Sequence, residues 1–196
     1  MPKISDEKRQ ARRDQILTAA LACFEKHGLH GATMDLIIAE CGLSAGAVYN
    51  YYPGKSALIA AALGQALEGW SAALAPVLTS EPPVPLGRLL ARVVEVAGAL
   101  EANGGRGRLL EIMAWGEAQR DEAVRARLRA HYGALTQNFA RAIDRARGAT
   151  QLFPTPEGER DAEALLLVAM GALARGAVFG PADDSGLATA LAALAQ

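Results

Sequence analysis

Cysteine is scarce: only Cys23 and Cys41 occur in 196 residues. Both have apolar neighbours on faces expected to turn inward, so they read as small reduced core residues rather than a disulfide framework or redox switch. The three histidines, His27, His30 and His131, stand apart from any Cys or carboxylate at metal-ligand spacing. No nucleophile–base pattern appears. The Gly104-Gly105-Arg106-Gly107 stretch joins two helical segments and lacks the preceding strand of a phosphate-cradling loop. An enzyme is therefore not expected, nor a metal or other cofactor. Aromatic residues make up 5% of the chain, which argues against a sheet-rich fold. The formal net charge of −1 excludes a globally basic nucleic-acid binder. The longest apolar candidate, residues 162–179, is interrupted by Glu163 and Arg175, so no membrane span is expected. The opening residues lack the apolar centre of a signal peptide, and a cytoplasmic location is the expectation.

Against these absences, 51% of the residues are hydrophobic, enough for a sizeable core. Ala and Leu dominate, which favours helices. Charge is unevenly placed. All four lysines (Lys3, Lys8, Lys26 and Lys55) fall in the first 55 residues. The opening arm sets Lys3, Lys8, Arg9, Arg12 and Arg13 against Asp6, Glu7 and Asp14, a local charge of +2. Such an arm suits either phosphate contact or a solvated helix start.

The most informative stretch runs from Thr33 to Lys55. It reads as two short helices joined by a tight turn, a shape that places one helix in the DNA major groove. Thr33 caps the first helix, with Met34, Ile37 and Ile38 inward. Gly42 suits the left-handed conformation that ends a helix. Ser44 caps the second helix, where Val48 and Tyr52 share the inner face. Ala45, Gly46, Tyr49 and Asn50 fall on the other side. Small residues let a backbone approach bases, while Tyr and Asn reach phosphates or base edges.

From Arg13 to Leu58 the chain resembles the amino-terminal DNA-binding domain of TetR-family transcriptional regulators. The matching residues are Ile16-Leu17-x-Ala19-Ala20, Phe24, Gly28, Thr33-Met34, and Gly42-Leu43-Ser44-x-Gly46-Ala47-Val48-Tyr49-x-Tyr51-Tyr52-x-x-Lys55. Each piece is weak alone; the ordered set is specific. The resemblance implies DNA contacts at Thr33, Ser44, Ala45, Gly46, Tyr49, Asn50, Tyr51 and Lys55, with Lys55 on phosphate. Three positions depart from the family's habit: Ala45 replaces a frequent Lys, Asn50 a usual His and Tyr52 a usual Phe. The first removes a backbone or guanine contact.

Helical periodicity organises the rest. Helix one spans residues 6–27 and ends at Gly28. Helix four starts near Lys55, with Leu58, Ala62, Ala66, Trp70, Leu74 and Leu78 on one face. Further helices are expected over 86–100, 108–119 and 121–147. The last carries the stripe Val124, Leu128, Leu135, Phe139 and Ile143, and its arginines read as a solvated face. Residues 164–174 are apolar all round and so must be buried all round, partly against a second subunit. Gly171, Ala172 and Gly176 permit close helix approach. A last helix spans 187–195.

The expected fold is all-α, with about nine helices: a three-helix helix-turn-helix domain over 1–54 and a helical effector-binding and dimerisation domain over 55–196. The resemblance implies a homodimeric repressor released from a pseudo-palindromic double-stranded operator by a small hydrophobic effector. The alternative is a DNA-binding module whose carboxy-terminal part binds a protein. Dimer contacts are expected at Leu166, Met170, Leu173, Leu187, Leu191 and Leu194. Pocket candidates are Trp70, Met113, Trp115, Tyr132, Phe139 and Met170. Glu111, Glu117 and His131 offer a polar end, although their simplest reading is exposed helix positions.

Overall fold

The computed structural model describes residues 5–102, 106–149 and 153–179, with the backbone alone at 97, 100–102, 106–108 and 177. These residues form eight helices and no strand. The expected ninth helix, at 187–195, lies outside the described residues, together with Leu187, Leu191 and Leu194.

The first helix, α1 (Asp6–Gly31), opens on Ser5, whose hydroxyl accepts the backbone N–H of Lys8. Lys8, Arg9, Arg12 and Arg13 therefore sit on an exposed helix rather than a loose arm. The helix breaks where the sequence placed the break: Gly28 adopts φ 69°, a left-handed conformation that favours glycine. One further turn buries Leu29. Next come α2 (Met34–Cys41) and α3 (Ala45–Tyr51), then the long α4 (Lys55–Leu78). By composition α4 is apolar enough to cross a bilayer, a segment the sequence reading passed over for 162–179. In the fold it is a core helix, burying Leu58, Leu63, Trp70 and Leu74 among others.

The remaining helices are α5 (Leu86–Ala102), α6 (Arg106–Glu117), α7 (Glu122–Ala146) and α8 (Pro156–Phe179). Helix α6 starts and ends two residues earlier than expected. Its end is set by Asp121, whose carboxylate accepts the N–H groups of Ala123 and Val124 and so starts α7 at once. Every residue of the expected α7 stripe is buried. Helices α7 and α8 pack side by side, and their junction is tied by the buried carboxylate of Asp144. It accepts the Thr155 N–H at 2.7 Å and the Thr155 hydroxyl at 2.8 Å. A Cβ on Gly158 would lie 2.5 Å from Asp144, so the backbone comes that close only because residue 158 is glycine.

The buried side chains form two clusters. The first joins α1–α3 to the first half of α4, and is closed by Leu110, Ala114, Val124 and Leu128 from α6 and α7. The second unites Trp70, Leu74, Leu89, Val93, Phe139, Ile143, Leu165 and Leu173. Trp115 and Tyr132 pack against both. Burying either cluster's large aliphatics stabilises the fold by about 25 cal/mol for each Å² of apolar area withdrawn from water. The shared packing at Trp115 and Tyr132 therefore joins the reading helices mechanically to the distal half.

Candidate nucleic-acid interface and effector pocket

The turn between α2 and α3 is built by side-chain caps. Thr33 Oγ1 accepts the Leu36 N–H at 3.3 Å, and Ser44 Oγ accepts the Ala47 N–H at 3.3 Å. Each such cap is worth about 1 kcal/mol. Gly42 holds φ 66° and ψ 23°, the left-handed cap expected of it. Gln15 donates its amide N–H to the Cys41 carbonyl at 2.9 Å, fastening the end of α2 to α1. Ile37 and Val48 are fully buried and anchor the inner faces, with Tyr52 beside them. Burial raises the Tyr52 phenol above its ordinary pKa, consistent with that inward position.

The outer face of α3 is open. Ala45, Gly46, Tyr49 and Asn50 are exposed, and Tyr49 is 46% exposed despite its aromatic bulk. Thr33 and Ser44 are exposed too. Capping uses their lone pairs and leaves each O–H free to donate to a phosphate. Tyr51 is half-buried and packs against the first core cluster, so less of it faces outward than of Tyr49. Lys55 is half-buried, and its Nζ donates to the His30 carbonyl at 3.3 Å, tying the start of α4 to the end of α1. Leu36 on α2 is 40% exposed, an apolar outward residue the sequence reading missed.

The pocket candidates separate into two groups. Phe139 is fully enclosed in the second cluster. Trp70 is 8% exposed, while Met113, Trp115, Tyr132 and Met170 are only half-buried. Between α4, α6 and α7 a polar chain forms. The Trp115 indole N–H donates to the Tyr132 oxygen at 2.6 Å, and the Tyr132 hydroxyl donates to Glu111 Oε1 at 2.6 Å. Such chains polarise and strengthen each other in a medium of low dielectric.

Glu111 corrects the expectation of an exposed helix position. It is 2% exposed, and its second oxygen, Oε2, has no hydrogen-bond partner. The physical reason lies in tertiary packing. Helix α6 is covered by α1 on one side and by α4 and α7 on others, so its buried arc is wider than one apolar stripe and takes in residue 111 beside Leu110 and Ala114. Burial pushes the Glu111 carboxyl above the ordinary carboxylate range, while the Tyr132 hydroxyl and the Trp70 indole pull it partly back. His131, next to Tyr132, is half-buried with an unpartnered Nε2, and burial lowers its pKa. It lines a groove of about 280 Å³ with Gly64, Leu67, Glu68, Ser71 and Arg127. Glu117 is partly buried rather than exposed, and its Oε2 lies 3.2 Å from His30 Nε2. His30 thus receives Lys55 from α4 on its carbonyl and Glu117 from α6 on its ring.

The raised Glu111 carboxyl has a measurable consequence. A folded-state pKa above the unfolded value means the folded chain holds its proton longer. Stability is therefore lost as pH rises through the ordinary carboxylate range towards the raised folded value. Glu111→Gln keeps an acceptor for Tyr132 and removes the ionisation. The variant is expected to melt about 3 °C or more above wild type at pH 8, with the gain vanishing at pH 4. Thermal unfolding at both values reads it; equal shifts at the two would place the effect elsewhere.

The dimer candidates also divide. Leu166 is 9% and Leu173 2% exposed; both pack inside the subunit's own second cluster. The outward face of α8 is carried instead by Ala164, Leu167, Gly171, Arg175 and Val178, a stripe at helical spacing that is apolar except at Arg175. Leu167 is 65% and Val178 74% exposed.

Comparison with known proteins agrees with this geometry. The model of bacterial regulatory proteins of the tetR family matches residues 16–62, which contain the capped turn and the first third of α4. The transcriptional regulator UidR of Escherichia coli K12 is 30% identical over 167 residues, covering 84% of this chain and 81% of that protein. BetI of Vibrio vulnificus is 39% identical over 59 residues, 30% of this chain and 29% of that one. Among solved structures, Salmonella enterica GusR superposes with a TM-score of 0.75 at 24% identity, over 98% of this chain and 96% of that chain, a likeness of fold. SmeT in complex with triclosan also reaches 0.75, at 25% identity, over 94% and 91%. With an amino-terminal helix-turn-helix on a carboxy-terminal helical body, and a likeness to UidR running through most of both, the chain belongs to the tetR family of bacterial transcriptional regulators.

Proposed function

We propose that this regulator is a homodimeric repressor that leaves a pseudo-palindromic operator when a small, largely apolar effector lodges among α4, α6 and α7. Residues 1–54 read the DNA, and residues 55–196 bind effector and partner. The observation that carries the reading is the outer face of α3. It is short, capped, free of acidic side chains, and offers Ala45, Gly46, Tyr49 and Asn50 to solvent above a fully buried Val48. Thr33, Ser44, Tyr51 and Lys55 flank it. One such helix touches few bases, so a two-fold pair spaced by a helical turn or its multiples supplies affinity and register.

Release follows from differential binding: an effector that fits only the arrangement with displaced reading helices lowers operator affinity by that difference. The contact route is physical. Helix α6 carries Glu111 against Tyr132 of α7 and Glu117 against His30, and His30 also holds Lys55 at the head of α4. A shift of α6 is therefore felt at the end of α1 and the start of α4. The triclosan complex of SmeT supports an aromatic, weakly polar guest as a starting probe.

The test is a gel shift on the DNA upstream of the protein's own gene, followed by footprinting. Protection of two related half-sites on one face of the duplex is expected, with release by aromatic compounds that also raise the melting temperature. Uniform binding to any duplex, with no protected palindrome, would refute operator recognition.

A further inference from the structure

We propose that the His30 ring is a proton-operated switch between the reading helices and the helical body: its Nε2 is tied either to Arg120 or to Glu117, and the choice sets how the end of α1 is held. The inference rests on the operator reading proposed above and adds the proton to it as a second input.

Two partners converge on one nitrogen. Glu117 Oε2, at the end of α6, lies 3.2 Å from His30 Nε2, and Arg120 Nη1, in the turn before α7, lies 3.4 Å from the same atom. A guanidinium only donates and a carboxylate only accepts, while an imidazole nitrogen carries either a lone pair or a hydrogen. With the lone pair on Nε2 the ring accepts from Arg120. With a hydrogen there it donates to Glu117. Protonation puts a hydrogen on both ring nitrogens, so the imidazolium faces Glu117 and turns Arg120 away. The Arg120 backbone N–H bonds the Glu117 carbonyl at 2.8 Å, which fixes the two partners to one another and leaves the ring to move.

The place of the ring makes the choice matter. Gly28 breaks α1, so His30 rides on the single turn beyond the break, anchored by the buried Leu29. On its other side the His30 carbonyl accepts from Lys55 Nζ at 3.3 Å. Movement of this turn therefore carries the Lys55 ammonium, proposed above to meet phosphate. Among the described residues, the charged and titratable groups set around residue 30 are Glu117 of α6, Arg120 of the following turn and Lys55 of α4, with His27 one turn earlier on α1. The His30 side chain is 72% exposed and that of Glu117 20%, so water screens the pair and the effect is a few-fold one.

The ring signals of His30, assigned by their loss in His30→Gln, are followed by NMR from about pH 5 to 8 in the full-length protein. Glu117→Gln is expected to move the His30 titration midpoint to lower pH, and Arg120→Met to higher pH, because one removes a carboxylate facing the ring and the other a guanidinium. Affinity for the protected palindrome is then measured at about pH 6 and pH 8. Wild type is expected to differ at least about threefold between the two. His30→Gln and Glu117→Gln, each confirmed as folded by its melting curve, should bring the ratio below about 1.5-fold. A wild-type ratio near one overturns the proposal. So does a ratio that survives in Glu117→Gln, which would reflect added positive charge near DNA and not the junction. Midpoints that stay put in both variants overturn it whatever the DNA does. Wild type that prefers no fragment at either pH removes the operator reading instead, and the midpoints still decide whether Nε2 changes partner.

Discussion

Leu167→Arg is expected to turn a dimeric protein into a folded monomer that no longer holds its operator. Leu167 is 65% exposed in the single subunit, so the substitution removes little of the subunit's own packing. The stripe it belongs to, with Ala164, Gly171, Arg175 and Val178, leaves a strip open along α8 that is apolar except at Arg175. Small residues on that strip allow a second helix to come close, and a closed two-fold assembly presents the same strip twice. An arginine there carries two unpaired guanidinium groups into the interface. Burying one unpaired charge costs about 3–5 kcal/mol, far more than an exposed Leu-to-Arg change costs the monomer. Sedimentation at micromolar concentration should show a single subunit with an unchanged melting transition. Operator affinity should fall at least about 100-fold, because each half-site must then be bound separately. A variant that sediments as a dimer and binds DNA as wild type does would remove α8 from the interface.

Gly46→Glu is the second large effect, and here DNA binding and stability should part company. A Cβ at position 46 meets nothing within 4 Å, and the glycine does not occupy a left-handed conformation. Replacing a helical glycine therefore stabilises α3 by roughly 0.5–1 kcal/mol. An acidic group in the first turn of the helix adds to that. The fold should gain a little. In the proposed operator complex the same carboxylate would face phosphates where the backbone must come nearest. A fall of at least about 100-fold in operator affinity is expected, with an unaltered or higher melting temperature and an unaltered dimer. Wild-type affinity in Gly46→Glu would mean that another face of the protein meets DNA. Gly46→Ala is the milder comparison: it adds only a methyl group, so its loss should be much smaller.

The reading unit was legible because its signals are local. Thr33, Gly42 and Ser44 each act within three or four residues, through caps and one left-handed turn, and the structure places all three where the pattern puts them. The break at Gly28 and the α7 stripe were legible for the same reason. Helix boundaries drifted at both ends of α6 and at the end of α5, and the end of α6 is where the Asp121 cap opens α7.

The cluster around Glu111 was legible only in part. Trp70, Trp115 and Tyr132 announce themselves as large, rare residues, but Glu111 does not. One acid among Leu110, Ile112 and Met113 looks like the solvent side of a helix. Its burial depends on how many neighbours α6 acquires, which residues 106–117 do not encode by themselves. The same limit applies to α8. An all-apolar helix told of burial on every side without saying which side the subunit covers. Leu166 and Leu173 turn inward, while Leu167 is left out, one residue away.

Sequence alone settled the helical class and the DNA-reading turn, since hydrophobic period, capping and glycine geometry operate over a few residues and hold wherever those residues lie in space. Tertiary packing decided which carboxyl is shut away from water beside two indoles, and which strip of α8 stays bare. Both are differences in burial, and burial is a property of what the other helices cover, summed over contacts distant in the chain.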